Sequence, residues 1–263
     1  KKLHTIKQIT AAAKYHKLLV LAHANSVDMY QQAMRHDIDI VVHGLWNWSL
    51  ANSTEDLPME VKTVLDDLRS KAIGFMPTQR IVAGLGELML SEILEDPEFP
   101  NVTPEPLLAW YRTAEAQWFR DELVEDYGGL APEHIATIIE RRTLKRGSRT
   151  IRYLNEAGHS ILLGSDSPGS PSYVNQPGLN TYRELQMMAS IGIPLDDIFK
   201  AATINNARQF GISKDYGSVE TGKVANLLIL QENPLVEIEA WNRIEHVVLH
   251  GVAFFRDEFA ARH

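Results

Sequence analysis

The chain has 263 residues, of which 44% are hydrophobic, enough for one large globular domain or two smaller ones. Its formal net charge of -8 is spread along the sequence without a basic block, which argues against nucleic-acid binding. No apolar run approaches the roughly 20 residues that span a bilayer. The absence of cysteine excludes disulfides, thiolate metal sites and a cysteine nucleophile, but leaves the compartment open.

The first part of the chain repeats one unit, a helical segment followed by a short, continuously apolar run. The pattern predicts helices at 6–16, 27–36 and 55–71, each followed by a strand, at 18–22, 38–42 and 73–76. Pro77 ends the third of these strands because it has no N–H to donate to a sheet. Short apolar strands separated by helices are typical of a parallel sheet buried on both faces.

A long, mostly helical stretch at about 81–156 follows, and its prolines predict several helices rather than one. We interpret it as an insertion within the repeating unit. Residues 160–164 form a fourth predicted strand that leads directly to Asp166, and helices at 181–190 and 196–210 complete this part.

The predicted fold class is therefore α/β, with the strand and helix order of a (β/α)8 barrel but only four of its units. Residues 1–212 make up this barrel-like part. In residues 213–263 the pattern changes to turns and short strands, predicted at 227–230, 244–249 and 252–255, which indicates a small β domain appended to it.

Three polar residues follow predicted parallel strands at the point where each strand ends: His23, His43 and Asp166. In a barrel the carboxyl ends of the strands converge on one mouth, where active sites are built. Two imidazoles and a carboxylate are ligands of catalytic zinc. Either histidine alone is more often structural, and an Asp in a Gly-Ser-Asp-Ser-Pro loop is often part of an ordinary turn, but all three at equivalent positions favour a metal site.

The same segments resemble the amidohydrolase superfamily, and within it the imidazolonepropionase-like and Xaa-Pro dipeptidase-like branch. Residues 19–24 are similar to its fifth barrel strand, 38–44 to its sixth, 74–78 to its seventh and 157–166 to its eighth. The resemblance continues through 183–185, 201–207, 222–227 and the Asn233-Pro234-Leu235 turn. Apart from the insertion it covers nearly the whole chain.

The resemblance implies a hydrolase of C–N bonds that uses metal-activated water on a small-molecule substrate: a cyclic amide, a dipeptide or an amidine. It implies one or two divalent ions, with zinc the first choice. His23 matches a metal ligand, His43 matches a residue that binds metal or contacts substrate and would steady an oxyanion, and Asp166 matches a ligand that also shuttles the proton. By the same resemblance, the residues after 212 belong to a small β-sandwich domain.

Two departures bear on activity. The family's first strand carries a His-x-His metal pair, yet no two of the ten histidines here have that spacing, and strands one to four have no counterpart. A half barrel leaves unpaired strand edges, which proteins avoid. We expect a missing N-terminal half or a second chain to complete the barrel, a homodimer being the alternative, and we expect the isolated chain to be nearly inactive.

A non-catalytic scaffold or assembly protein derived from the same fold is the alternative function. The three strand-end residues argue against it, and the missing His-x-His pair argues for it. The substrate stays open because loops, not folds, set specificity. Tyr173, Arg183 and residues 46–48 are candidates to line the mouth, although packing is an equally good interpretation for them.

Overall fold

A parallel sheet of three short strands forms the centre of the structure, a computed structural model that describes residues 2–168 and 173–261. Residues 1 and 169–172 of the first predicted unit, and residues 262 and 263 of the second, lie outside the described residues. The strands are β1 (Leu21–His23), β2 (Ile40–Val42) and β3 (Gly74–Met76), and they lie in that order. Helices α1 (Lys2–Tyr15), α2 (Val27–Arg35) and α3 (Met59–Ser70) alternate with them. The predicted repeat of helix and parallel strand is thus present, with shorter strands.

The apolar runs form strands because both faces of the sheet are covered. Ile40, Val41 and Phe75 are each 0% exposed, as expected for the central strands of a parallel sheet. The outer edge of β1 differs, because no described strand pairs with it and Leu21 there is 43% exposed. The sheet therefore has one open edge, on the side of β1.

The predicted fourth strand at 160–164 forms only one isolated parallel bridge, between Ile161 and Phe75. The prediction of a regular strand is wrong because the backbone on the side away from β3 bonds to helices instead. Side-chain amides donate to alternate carbonyls there: Asn205 to Ile161 (3.1 Å), Asn206 to Leu163 (2.9 Å) and Asn180 to Ser165 (2.6 Å). We call residues 161–165 the bridged segment.

The predicted insertion is helical, and its helices begin at or near the prolines. The helices after β3 are α4 (Gln79–Leu88), α5 (Phe99–Val102), α6 (Glu105–Tyr111), α7 (Trp118–Asp126), α8 (Pro132–Ile138) and α9 (Lys145–Glu156), with a π-helical stretch at Ile139–Leu144. Pro100, Pro104 and Pro132 lie in the first turn or the N-cap position, where a missing N–H costs nothing. These prolines therefore start helices rather than kink them.

Two main apolar clusters divide the molecule. The larger lies between the sheet and α2, α3 and α9, and its members include Tyr30, Trp48, Phe75 and Ile151. The second lies between α4, α8 and the π-helical stretch and includes Tyr173. The last helix of the predicted insertion, α9, thus packs in the larger cluster beside the sheet.

The chain after the bridged segment adds helices and a second sheet. The helices are α10 (Leu179–Ser190), α11 (Leu195–Lys200) and α12 (Asn206–Gln209), with a π-helical stretch at Ala201–Asn205 between the last two. The second sheet is antiparallel, with strands β4 (Leu227–Leu230), β5 (Ile244–Leu249) and β6 (Val252–Phe255). Every helix in the described part of the chain falls short of the length and apolarity that a bilayer crossing requires.

Candidate active site

His23 is the last residue of β1, and His43 directly follows β2. Asp166 follows the bridged segment, which lies beside β3. Because these strands are parallel neighbours, their carboxyl ends lie at one edge of the sheet. The structure thereby brings together all three residues singled out from the sequence.

The two imidazoles touch. His43 Nε2 lies 2.6 Å from His23 Nδ1, with the ring centroids 4.1 Å apart and the rings nearly perpendicular, at 76°. Asp166 Oδ2 lies 3.9 Å from the same His43 Nε2. One nitrogen of His43 therefore faces both of the other residues.

His43 is held from three sides. Its Nδ1 is 2.6 Å from Thr78 Oγ1, and its backbone N–H donates to the Met76 carbonyl at 2.9 Å. The hydroxyl of Tyr30, a buried residue of α2, donates to the His43 carbonyl at 2.6 Å. A ring fixed at one nitrogen presents the other in a defined direction, as in histidines that bind metals.

Three strand-end residues have left-handed backbone conformations that non-glycine residues seldom adopt: His43 (φ 81°), Thr78 (φ 42°) and Asp166 (φ 49°). Such strain persists only where the surroundings impose it, and it is concentrated at functional sites. Here the hydrogen bond from Gly44 N–H to the Pro77 carbonyl, at 2.8 Å, ties two of these turns together. This edge of the sheet is therefore formed by turns, two of which are joined by a hydrogen bond.

Burial and the nearby imidazole determine the charges in the site. Burial, followed by the proximity of His23, lowers the pKa of His43 to about 4, so its ring is neutral at pH 7 and can act as a ligand or acceptor. Burial also raises the pKa of Asp166, although the proximity of His23 opposes that shift. The site thus combines a neutral imidazole with a carboxyl group whose proton affinity is increased.

The donor atoms suit zinc, but their arrangement needs one adjustment. Among the described residues, no three histidine or acidic side chains are placed to hold a metal ion. Two nitrogens bound to one tetrahedral zinc are about 3.3 Å apart, since each bond is about 2.0–2.1 Å, so the 2.6 Å contact of His23 with His43 leaves no room for an ion between them. His23 is exposed and can turn away, whereas His43 is fixed. The chemistry of the donor set therefore fits, with His23 as the movable ligand.

The other candidates for the mouth have different surroundings. The Trp46 ring lies 5.6 Å from the His43 ring and contacts the second cluster, so it does border the site. Trp48 is 0% exposed in the larger cluster, and Tyr173 packs on Tyr111 with ring centroids 5.2 Å apart. Arg183 pairs with Asp96. Of these residues, only Trp46 contacts a predicted site residue.

Two residues of the site were not singled out from the sequence. Thr78 follows the third strand, so the rule that selected His23 and His43 could also have selected it. Tyr30 lies within a helix, and its local sequence gives no sign that its hydroxyl reaches the carbonyl of His43. Of the two residues that hold His43 in place, Tyr30 was therefore the one that the sequence could not indicate.

A family profile and several relatives match the chain. The profile of the amidohydrolase family covers residues 3–253. Imidazolonepropionase from Porphyromonas gingivalis is 32% identical over 105 residues, which are 38% of this chain and 24% of that protein. A 5-methylthioadenosine/S-adenosylhomocysteine deaminase from Thermoanaerobacter pseudethanolicus is 29% identical over 96 residues, 33% of this chain and 21% of its own.

Solved structures match almost the entire chain. A Xaa-Pro dipeptidase with methionine bound in its active site has a TM-score of 0.62 at 20% identity, over 95% of this chain and 48% of its own. A prolidase complexed with N-methylphosphonate-L-proline has a TM-score of 0.60 at 17% identity, over 95% and 48%. The chain thus spans about half the length of these structures. Together these matches confirm the resemblance inferred from the strand-end motifs.

Proposed function

The chain belongs to the amidohydrolase family, and from that premise we propose that it carries part of the active site of a metal-dependent hydrolase that cleaves C–N bonds. The observation that carries the proposal is the convergence of His23, His43 and Asp166 at the carboxyl ends of neighbouring parallel segments. Relatives named as imidazolonepropionase and Xaa-Pro dipeptidase favour a cyclic amide or a dipeptide as the substrate class, and the deaminase favours an amidine.

His23, His43 and Asp166 would hold the ion, with zinc the first choice and one or two ions in the complete site. Members of this family are generally metal-dependent. A bound divalent ion would lower the pKa of a coordinated water and polarise the substrate carbonyl. The neutral ring of His43 offers a lone pair for such a role, and the exposed ring of His23 lies beside it.

Asp166 is the proton carrier in this proposal. Its side chain is 40% exposed at the mouth, so it can reach both water and substrate. It takes a proton from the water as the new C–O bond forms, and it gives that proton to the nitrogen as the C–N bond breaks.

Further polypeptide completes the site. We propose that the described sheet and the bridged segment correspond to strands five to eight of a (β/α)8 barrel, and β4 to β6 to part of a β-sandwich domain. The open edge of β1 is where the remaining strands would add, whether they come from the same polypeptide or from a second chain. The 263-residue chain alone should then have little activity, because three ligands bind more weakly than a complete set.

The alternative is a non-catalytic scaffold that has kept the fold. The observation in its favour is that no three donors in the described part of the chain are yet arranged to hold an ion. Zinc binding separates the two functions, because a scaffold does not need it.

The test is zinc stoichiometry and affinity, measured by equilibrium dialysis and plasma emission spectrometry on the purified chain and its variants. We expect wild type to bind zinc and His23→Ala and Asp166→Asn to bind it at least about tenfold more weakly, the lower bound for the loss of a group that supports a metal site. The matched control is His134→Ala, which removes an exposed histidine of α8. Equal affinity in all four proteins, or no binding by wild type, would overturn the proposal.

A further inference from the structure

Helix α10 buries two polar side chains one turn apart. Asn180 is 1% exposed and Glu184 is 0% exposed, and at four residues' separation both lie on the same face of the helix. Burying a carboxylate and an amide is unfavourable unless their hydrogen bonds are satisfied. The hydrogen-bond partners of these two side chains therefore explain how they can be buried.

Glu184 holds the chain immediately after Thr78. Its Oε1 accepts the backbone N–H of Gln79 at 2.9 Å, and its Oε2 accepts that of Arg80 at 2.5 Å. These N–H groups open α4 and have no partner inside that helix. Glu184 thereby fixes the turn from which Thr78 reaches the ring of His43.

Asn180 holds the chain immediately before Asp166. Its Nδ2 donates to the carbonyl of Ser165 at 2.6 Å, and its Oδ1 accepts from Arg80 Nε at 3.1 Å. The guanidinium of Arg80 is 3% exposed and is held on its far side by both carboxylate oxygens of Glu87. Through Arg80, the Asn180 amide thus connects the turn that carries Thr78 with the turn that carries Asp166.

We propose that Asn180 and Glu184 are positioning residues that set the distance between His43 and Asp166. Neither side chain contacts either residue directly, and each acts through a turn with a left-handed backbone. This inference rests on the proposed function for its effect on zinc, but the arrangement itself can be tested without metal. An apolar pair would cost less to bury than a carboxylate and an amide, but it could not hold two turns in register.

The test compares Asn180→Ala and Glu184→Gln with the matched control Asn155→Ala. Asn155 donates to Asp197 between α9 and α11 at 3.0 Å, so its loss also removes a partly buried amide hydrogen bond but touches neither turn. Two measurements are made on each protein at a temperature where it is fully folded: the NMR signals of the His43 ring nitrogens without metal, and the zinc dissociation constant.

We expect both positioning variants to shift the His43 ring signals and to raise the zinc dissociation constant about 10–100-fold, the usual cost of losing a group that orients a ligand. Asn180→Asp keeps the acceptor for Arg80 but sets a carboxylate oxygen against the Ser165 carbonyl, so it should weaken zinc binding at least as much as Asn180→Ala. The control should change neither quantity.

The outcomes separate the two proposals. Wild type without zinc binding, but with His43 signals that move in the variants, would overturn the proposed function and support the positioning role. Zinc binding by wild type, with variants that match Asn155→Ala in both measurements, would overturn the positioning role alone. Should Asn180→Ala fail to fold, Glu184→Gln decides.

Discussion

At the scale of single residues, His43 combines a strained backbone with a ring that faces both His23 and Asp166. Its backbone is in a left-handed conformation, its ring is neutral, and its carbonyl is bonded by the hydroxyl of a buried tyrosine. The strain at this position is offset by the hydrogen bonds that surround it. Loss of one of these hydrogen bonds should therefore be measurable in the stability of the whole chain.

Tyr30→Phe tests this point. It removes the hydroxyl that bonds the His43 carbonyl and leaves that carbonyl buried without this partner, at a cost of about 1–3 kcal/mol. Urea unfolding followed by circular dichroism measures the change. Tyr153→Phe is the control, since its hydroxyl bonds Asp66 in a partly buried position, and a smaller loss is expected there. Equal losses in the two variants would contradict the prediction.

The pH dependence of the free energy of unfolding should reveal the raised pKa of Glu184. Burial raises the pKa of Glu184 from 4.5 to about 7, although hydrogen bonds from Arg80 and Gln79 oppose the shift. A raised carboxyl pKa contributes stability that is present below pH 4.5 and is lost as the pH rises through about 7. In Glu184→Gln this loss should disappear.

The free energy of unfolding of Glu184→Gln, minus that of wild type, should therefore increase by about 3 kcal/mol between these two pH values. His43 acts in the opposite direction, because its lowered pKa contributes stability that is lost as the pH falls from 6.5 through about 4. A His43 pKa that moves back toward 6.5 in the variant would make the difference fall as the pH rises, so an increase reports Glu184. A difference that is constant with pH would rule out the raised pKa of Glu184.

At the scale of elements, α4 contains two glycines with different surroundings. A Cβ added to Gly84 would lie 2.3 Å from Oδ1 of Asn175, a side chain that is 1% exposed and cannot move aside. A Cβ added to Gly86 would meet Ile139 at 3.5 Å, an ordinary contact. Of the two glycines, only Gly84 therefore lies against the side chain of Asn175.

Gly84→Ala should destabilise the chain by about 1–3 kcal/mol, the usual cost of overpacking. Gly86→Ala should be neutral or stabilise it by up to about 1 kcal/mol, because alanine favours the helix. Thermal unfolding of both variants checks this. The same sign for both would mean that the approach of Asn175 to α4 does not govern stability here.

The elements that were predicted well are those whose structure is determined by residues close to them in the sequence. Strands β1 to β3 lie within two or three residues of their predicted positions because continuous apolar runs decide them. The bridged segment failed as a strand because its partners are the amides of Asn205, Asn206 and Asn180, which belong to helices far along the chain. No local pattern in 160–164 indicates those partners.

The residues of the site also fall into two groups: those that the local sequence indicates and those that it does not. His23, His43 and Asp166 could be found because each lies just beyond a predicted strand, and the carboxyl ends of parallel segments converge by geometry alone. Tyr30, Asn180 and Glu184 could not be found, because a helix does not show from its own sequence which distant turn it will hold. The assignment of the three strand-end residues to metal binding stays a prediction until zinc affinity is measured.

At the scale of the whole molecule, the open edge of β1 is a surface to which another strand can add. Leu18, Leu19 and Leu21 are 64%, 41% and 43% exposed along it. An unpaired edge with apolar side chains is a template for a further strand. Leu50 is even more exposed, at 101%, but lies on a 3₁₀ turn away from the edge.

Leu21→Lys should reduce self-association of the isolated chain, because a charge on an edge strand opposes pairing. Leu50→Lys should change it little, although it removes more exposed apolar surface. Sedimentation velocity over a range of protein concentrations compares the two with wild type. Self-association that falls equally in both variants would indicate nonspecific association of apolar surface rather than pairing at the β1 edge.

The two sides of the sheet region differ in one respect that bears on assembly. On the side of the bridged segment, the amides of three asparagines already occupy alternate carbonyls, so a strand that joins there, as the first strand of a closed barrel would, has to displace them. In the parallel sheet, β1 is therefore the edge that a second copy meets unoccupied, and two copies that join through β1 use the same edge from both sides. Such a contact has twofold symmetry and closes on itself. Association through the parallel sheet should therefore stop at pairs, because the asparagine side chains that replace a regular strand also occupy the other edge of that sheet.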